Sequence, residues 1–189
     1  MADPFVREYL SGLRAVLDEV DAEAVSRVID ILWAAYGDGR RIFIIGNGGS
    51  AATASHMMCD LVKGCAVEGR PPVRAISLTD NVAVMTAVSN DIAYEKVFTK
   101  QMEAFLEAGD VVVAMTVSGN SPNILDAVRF AADHGAATVG LIGFGGGQLK
   151  DMVDADVTVA SRNYGYVEDL HLVLEHLISQ CLRLRIEAG

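Results

Sequence analysis

The chain alternates between two kinds of hydrophobic pattern. Short apolar runs rich in valine and isoleucine predict five buried strands, at residues 41–46, 73–78, 111–115, 137–142 and 156–160. Apolar residues three and four positions apart predict helices around them, at residues 4–20, 22–37, 50–63, 82–107, 122–134, 147–153 and 166–186. Almost continuously apolar strands that alternate with helices favour a parallel sheet covered on both faces. We therefore predict an α/β fold in which a five-stranded parallel sheet lies between helices.

Length and charge narrow the class of protein. The 189 residues are enough for one domain with a substantial core. The formal net charge of −10 argues against a nucleic-acid partner, which usually needs a basic face. No apolar run reaches the roughly 18 residues of a membrane span, and the first residues lack a signal-peptide pattern. The three cysteines form no CxxC pair and indicate reduced thiols. We expect a cytoplasmic protein without a membrane or nucleic-acid partner.

The turn after the first predicted strand has the sequence GNGGSA, at residues 46–51. Glycines such as Gly48 and Gly49 allow the backbone to approach a ligand, and the start of the next helix offers free N–H groups to an anion. Ser50 can add a hydroxyl to such a site or cap the helix. The turn also fits the pattern GxGxxA, with Asp80 placed to meet a ribose, so an NAD-dependent oxidoreductase is an alternative. The chain length leaves no room for the separate substrate domain of such an enzyme.

A second turn of this kind, MTVSGNSPN at residues 115–123, follows the third predicted strand. Ser121 before Pro122 is a suitable N-cap and first residue of a helix. Capping does not account for Thr116 and Ser118 in the same turn. Parallel sheets bind ligands beyond the carboxyl ends of their strands, and both turns lie at such ends. Two hydroxyl-rich turns predict a site for the phosphate of a phosphosugar, whereas a dinucleotide fold has no need for the second turn.

Histidines and carboxylates recur at helical spacing. His56 and Asp60 are four residues apart and share one face of the third predicted helix. Glu168 and His176 are eight apart, about two turns, on the last helix. Such a set could bind a divalent metal such as zinc, or supply a general acid and base. Simple packing is the alternative for the histidines of the last helix, which include His171.

Together these segments resemble the sugar isomerase (SIS) domain family and, within it, the phosphoheptose isomerases. The resemblance covers nearly the whole chain and rests on GNGGSAA, the histidine of SHMMCD, SND at residues 89–91, TVSGNSPN and VEDLHLVLEH. It implies one flavodoxin-like SIS domain over residues 1–189, with a three-layer sandwich. It also implies a homotetramer with active sites at subunit interfaces, and residues 1–37 as helices used in those contacts.

The activity that this resemblance implies is an aldose–ketose isomerase. It would convert sedoheptulose 7-phosphate to D-glycero-D-manno-heptose 7-phosphate through a cis-enediol, without a nucleotide cofactor. The catalytic pair would be Asp60 and His176. The substrate would be bound by Asn47, Gly48, Gly49, Ser50, Asp91, Thr116, Ser118, Ser121 and Glu168. One zinc ion per subunit would be held by His56, Asp60, Glu168 and His176.

The chain departs from the family pattern at several of these positions. Asp60 stands where the family usually has glutamate, and Glu168 where it usually has glutamine. Lys63 and Gly64 occupy the place of a common arginine, and Val117 replaces a hydroxyl residue. Two alternatives therefore stay open. One is an isomerase for a different sugar phosphate, and the other is a non-catalytic SIS module that binds a phosphosugar or a replication initiator protein.

Overall fold

The computed structural model describes residues 3–189 and contains one five-stranded parallel sheet with helices on both faces. The strands are β1 Arg41–Gly46, β2 Arg74–Ser77, β3 Val111–Thr116, β4 Ala137–Ile142 and β5 Ala155–Thr158. The helices are α1 Pro4–Asp18, α2 Ala22–Gly37, α3 Gly49–Cys59, α4 Val82–Asp91, α5 Thr99–Phe105, α6 Pro122–Asp133 and α7 Tyr164–Ala188. The predicted fold class is confirmed, and the strand order β2-β1-β3-β4-β5 is flavodoxin-like.

The sheet separates two hydrophobic cores. Side chains of a strand alternate between its faces, so Ile42 and Ile44 of β1 pack in the core shared with α2, α3 and α7. Phe43 and Ile45 pack on the other face, against α5 and α6. All four side chains are at most 1% exposed, which is why β1 has no polar position between Ile42 and Ile45. Of the helices in residues 3–189, none is long and apolar enough to cross a membrane.

The helix predicted at residues 147–153 is only a 3₁₀ turn, Leu149–Asp151. Two longer predicted helices are interrupted. The helix predicted over residues 82–107 is divided into α4, a 3₁₀ turn Tyr94–Lys96 and α5. Ala93 is fully extended, with φ −172° and ψ 149°, and ends the helical path. The helix predicted over residues 50–63 contains α3 and then a π-helical turn, Asp60–Gly64. Periodicity alone did not reveal either change, because both segments keep a helical hydrophobic pattern.

The order of the strands brings the two glycine-rich turns together. β1 pairs with β2 on one side and with β3 on the other, so the chain changes direction across the sheet between β1 and β3. Gly46, at the end of β1, lies opposite Met115 of β3. The turns that follow β1 and β3 are therefore neighbours at the carboxyl edge of the sheet. This is the position where α/β sheets bind ligands.

Candidate active site

The turn between β1 and α3 is built around three glycines. Gly48 has φ +56°, a backbone conformation that favours glycine. A Cβ atom at Gly46 would collide with the backbone of Ser50, and one at Gly49 would overlap the carboxylate of Glu168. Ser50 is the second residue of α3 and is 4% exposed, whereas the N-cap is Gly48. Ser50 therefore does not cap the helix, and α3 begins with free N–H groups at this turn.

The turn between β3 and α6 presents several hydroxyl groups. The Thr116 Oγ1 accepts a hydrogen bond from the Gly119 N–H at 3.3 Å, and the Ser118 Oγ accepts one from the Asn120 N–H at 3.3 Å. Ser121 is the N-cap residue of α6, but among residues 3–189 its side chain receives no capping hydrogen bond. Its hydroxyl group is available to a ligand, in addition to the first N–H groups of α6.

The loop after β4 supports this second turn from behind. Gly119 has φ +66°, and a Cβ atom there would overlap the carbonyl oxygen of Gly146. The Leu149 N–H donates to the Gly119 carbonyl at 3.0 Å. The Gln148 N–H donates to the Asn120 side-chain oxygen at 3.1 Å. The loop at residues 143–149 therefore holds the shape of a turn that follows a different strand.

An amide pair joins the two turns. The Asn47 Nδ2 donates to the Asn123 Oδ1 at 2.9 Å, and the Asn123 Nδ2 donates back to the Asn47 Oδ1 at 2.8 Å. The Tyr94 hydroxyl also donates to the Asn47 Oδ1, at 2.8 Å. Asn123 is 1% exposed, so this pair is a fixed internal link. Asn123 and Tyr94 were not among the predicted site residues, because their roles depend on contacts between distant segments.

The two turns enclose a cavity of about 280 Å³, called here the turn cavity. Its lining includes eight of the nine residues predicted to bind substrate: Asn47, Gly48, Gly49, Ser50, Thr116, Ser118, Ser121 and Glu168. Tyr164, at the start of α7, also lines it and was not predicted.

Two acidic residues considered in the sequence lie outside the turn cavity. The ninth predicted residue, Asp91, is exposed at the end of α4, where its Oδ1 accepts a hydrogen bond from the Asn90 side chain at 2.7 Å. Asp80 likewise lies outside the cavity, and accepts hydrogen bonds from the hydroxyls of Ser55 and Thr79.

A second group of polar side chains forms where the end of α3 meets α7. His56, Asp60, Glu175 and His176 offer ligand atoms within 4.8 Å of one another, and these four residues are called the His–carboxylate cluster. The Nε2 atoms of His56 and His176 are 3.2 Å apart, and the Asp60 Oδ2 lies 3.7 Å from the His176 Nε2. Asp60 begins the π-helical turn, a feature often found at functional sites. The structure thus brings together the predicted acid–base pair.

Glu175, which belongs to the helix-spaced set of histidines and carboxylates on the last helix, was not among the predicted site residues. Its side chain is 0% exposed, and its Oε1 lies 3.2 Å from the His176 Nε2. Burial, together with the negative charge of Asp60, raises the pKa of Glu175 to about 8. The LEHL segment indicated an unusual position, since a glutamate there interrupts the apolar, buried face of α7 between Leu174 and Ile178.

Glu168 is the fourth residue predicted to share a metal with His56, Asp60 and His176, and in that role it stays a prediction. In the part of the chain described, the ligand atoms that converge with those three residues belong to Glu175. The Glu168 carboxylate lies instead against Gly49 and lines the turn cavity. The reason is helical geometry, because Glu168 is two turns nearer than His176 to the start of α7.

The turn cavity and the His–carboxylate cluster lie at opposite ends of α3. Ser50 and Asp60 are ten residues apart, which corresponds to about 15 Å along a helix. His171 occupies α7 between them and is 1% exposed. Burial lowers the pKa of His171 to about 4, so its imidazole is neutral at pH 7. His171 is therefore a packed core residue, which was one of the two predictions for this helix.

Comparison with known proteins agrees with this architecture. The model of the SIS domain family matches residues 8–143. A phosphoheptose isomerase of Geobacter metallireducens is 39% identical over 172 residues, which cover 89% of this chain and 90% of that protein. A phosphoheptose isomerase of Geobacter sulfurreducens is 33% identical over 189 residues, which cover 98% of this chain and 99% of that protein.

Solved structures of two phosphoheptose isomerases have the same fold as this chain. The phosphoheptose isomerase of Neisseria gonorrhoeae superposes with a TM-score of 0.87 at 27% identity, covering 94% of this chain and 96% of that one. The enzyme of Francisella tularensis also has a TM-score of 0.87, at 28% identity, covering 95% of each chain. The chain therefore belongs to the SIS domain family and, within it, to the phosphoheptose isomerases.

Proposed function

We propose that this protein isomerises sedoheptulose 7-phosphate to D-glycero-D-manno-heptose 7-phosphate. The observation that carries the proposal is the pairing of two features on one α/β scaffold. One is a cavity between two hydroxyl-rich turns at helix starts, and the other is an acid–imidazole pair, Asp60 and His176, with 3.7 Å between Oδ2 and Nε2. Relatives that are 39% and 33% identical to this chain are named phosphoheptose isomerases.

The turn cavity would bind the phosphate group. Hydroxyls of Ser50, Thr116, Ser118 and Ser121 would donate to the phosphate oxygens, and the N–H groups that begin α3 and α6 would add the favourable ends of two helix dipoles. A net charge of −10 makes these local donors necessary, because the overall field of the protein repels an anion. Asn47 would contact the sugar. Asp91 and Glu168 remain predicted sugar contacts, with Glu168 already at the cavity wall.

The chemistry requires only proton transfers. Asp60 or His176 would remove the proton from C1 of the open-chain ketose, and the C–H electron pair would form the C1–C2 double bond of a cis-enediol. The other group would protonate the carbonyl oxygen as this happens. Return of a proton to C2, and loss of the hydroxyl proton at C1, would then give the aldose. Positioned acid–base groups of this kind contribute about 10²–10⁴-fold each.

A metal is consistent with the residues present. Two imidazoles and two carboxylates converge in the His–carboxylate cluster, a donor set suited to zinc. His56, Asp60, Glu168 and His176 stay the residues predicted to hold the ion. When bound, zinc would act as a Lewis acid that polarises the substrate carbonyl.

A homotetramer with active sites at subunit interfaces is the assembly that we propose. None of the residues of α1 is buried, and Phe5, Val6, Leu10 and Leu17 are exposed large apolar side chains. Exposed apolar side chains grouped on one helix are typical of a contact surface. The separation of about 15 Å between the two ends of α3 fits a site in which one protomer binds the phosphate and a neighbour supplies Asp60 and His176. The single-domain organisation and the cytoplasmic location stay predictions.

Turnover tests the proposal directly. Purified protein is expected to convert sedoheptulose 7-phosphate, and both Asp60→Asn and His176→Ala are expected to lose nearly all activity. The control is His134→Ala, a histidine at the end of α6 that lies outside both sites and should keep full activity. Conversion of a pentulose or hexulose phosphate alone would reassign the substrate. Absence of any turnover, with sugar phosphates still bound, would favour a non-catalytic binding module.

Subunit complementation tests the shared site. Ser118→Asp would place a like charge against the phosphate, and Asp60→Asn would remove the acid, so each variant alone should be inactive. If two protomers share each site, random mixing should restore roughly a quarter of the activity, because both halves are intact in about one pairing in four. No recovery in verified mixed oligomers would place the whole site in one protomer.

A further inference from the structure

The π-helical turn Asp60–Gly64 carries the proposed acid at its first residue. Its hydrogen bond runs from the Cys65 N–H to the Asp60 carbonyl at 2.8 Å, one residue further along the chain than in an α-helix. Helix ends leave their last carbonyl groups without partners in the helix, and Gly64 is the last residue of this turn. The position of the Asp60 side chain therefore depends on what holds the far end of the turn.

Two contacts with α7 hold that far end. The Arg183 Nη1 donates to the Gly64 carbonyl at 3.0 Å, as basic side chains often do at the end of a helix. The Cys65 thiol donates to the Ser179 carbonyl, with 3.2 Å between sulfur and oxygen. Burial raises the pKa of Cys65 to about 11, so the thiol keeps the proton that it donates. Ser179 and Arg183 are one turn apart on α7, and these two contacts are called the π-turn clamp.

Arg183 is itself oriented by a neighbour. Its Nε donates to the Glu187 Oε1 at 2.8 Å, one turn further along α7. A hydrogen bond from a charged donor, such as the one to Gly64, is stronger than one between neutral groups. Beside the clamp lies a cavity of about 160 Å³, lined by Asp60, Gly64, Ser179, Gln180 and Arg183. On this side the π-helical turn borders a cavity and not packed side chains, so its position depends on the clamp.

We propose that Arg183 is a positioning residue for the isomerase reaction, because it fixes the π-helical turn so that Asp60 faces His176. His176 lies about two turns before Arg183 on α7, so one helix carries both the imidazole and the arginine that holds the acid in place. Without the clamp, Asp60 would move away from its present separation of 3.7 Å between Oδ2 and the His176 Nε2. A displacement of about 1 Å can lower the rate of an enzyme by about 100-fold.

The experiment compares Arg183→Met with Arg185→Met in the isomerase reaction. Methionine keeps much of the length of the arginine side chain but cannot donate to the Gly64 carbonyl. Arg185 is the matched control, because it lies on the same helix and has the same charge but pairs with Asp30 of α2, at 2.7 Å. Arg183→Met is expected to lower kcat by about tenfold and to change KM by less than about twofold. Arg185→Met should change neither.

A conservative variant separates the hydrogen bond from the shape of the side chain. Arg183→Lys can still donate to the Gly64 carbonyl and should keep kcat within about threefold of the wild type. Thermal unfolding checks that each variant keeps the fold. If Arg183→Met does not fold, Arg183→Gln replaces it with the same expectations, because its shorter side chain does not span the distance to Gly64.

Hydrogen exchange measures the clamp in the absence of substrate. The Cys65 amide, which donates to the Asp60 carbonyl, should exchange about tenfold faster in Arg183→Met than in the wild type. Arg185→Met should leave its exchange unchanged.

The outcomes separate this inference from the proposed function on which it rests. An inactive wild type would refute the proposed function, and with it the role of Arg183. With an active wild type, an unchanged kcat in Arg183→Met or unchanged exchange at Cys65 would overturn the inference alone. An equal loss of kcat in Arg185→Met would also overturn it, because the effect would then come from the charge of α7.

Discussion

At the start of α3, the turn cavity is made of backbone N–H groups, hydroxyls and glycines from two turns that follow neighbouring strands. At the other end of the same helix, the His–carboxylate cluster is made of long side chains from α3, its π-helical turn and α7. The first region depends on the shape of the main chain, and the second depends on the packing of two helices. This difference determines how each should respond to mutation.

The largest expected effect separates the two regions by their kinetics. Asp60→Asn should lower kcat by about 10²–10⁴-fold with little change in KM, because it removes an acid–base group and leaves the phosphate site intact. Ser50→Ala should mainly raise KM, by roughly tenfold or more, because it removes a hydrogen bond to a charged ligand. Steady-state kinetics with sedoheptulose 7-phosphate would measure both. A fall in kcat alone for Ser50→Ala would contradict its role in phosphate binding.

Next in size is a change in the shape of the turn cavity. Gly119→Ala should destabilise the protein by about 3 kcal/mol or more, because the new Cβ would combine a positive φ with an overlap on the Gly146 carbonyl. Gly69→Ala is the matched control, since Gly69 has φ +76° but nothing within 4 Å of an added Cβ, and should cost only about 1–2 kcal/mol. Urea unfolding of both variants would test this. Equal losses would show that backbone strain, and not the support from the loop after β4, controls the turn.

A smaller effect concerns His171, which lies on α7 between the two regions. Its imidazole has a pKa near 6.5 when unfolded and about 4 in the fold, so the unfolded state binds the extra proton first as the pH falls. His171 should therefore reduce the free energy of unfolding by up to about 3 kcal/mol as the pH falls from 6.5 through 4. His171→Leu should remove this part of the pH dependence. Chemical denaturation of both proteins at several pH values would show it, and parallel curves would refute it.

The smallest expected effect concerns the link between the two turns. Asn123→Ala removes both amide hydrogen bonds to Asn47 and should cost about 1–2 kcal/mol, with a modest rise in KM. Tyr94→Phe removes only the exposed hydroxyl that also donates to the Asn47 Oδ1, and should cost less. Thermal unfolding and KM would be measured together. A loss of stability without a change in KM would mean that the amide pair holds the helices and not the ligand site.

The turn cavity was predictable from the sequence because its residues are close to one another along the chain. Each turn directly follows an apolar strand, and glycine and serine carry their conformational and hydrogen-bonding tendencies in any context. Parallel strands then bring successive turns to one edge of the sheet. Asn123 and Tyr94 were not predictable in this way, because an amide pair between α6 and the first turn leaves no periodic pattern in the sequence.

The cluster was only partly predictable. The spacing of four between His56 and Asp60 correctly indicated a shared face, and His176 does meet them. The spacing of eight between Glu168 and His176 did not indicate which neighbours each residue contacts, because residues on one side of a long helix can face different elements. The adjacent Glu175, rather than Glu168, faces the end of α3.

By itself, the sequence determined the parallel α/β fold and its family, because apolar periodicity and turn residues act locally and repeat along the chain. It also determined that hydroxyls and helix starts would meet at one edge of the sheet. Only the tertiary structure decided which carboxylate joins His56 and His176, where the helix over residues 82–107 breaks, and how far the turn cavity lies from the cluster. The first and last of these outcomes depend on the packing of α7 against α3 and on the π-helical turn. Such contacts between distant segments cannot be read from local sequence patterns.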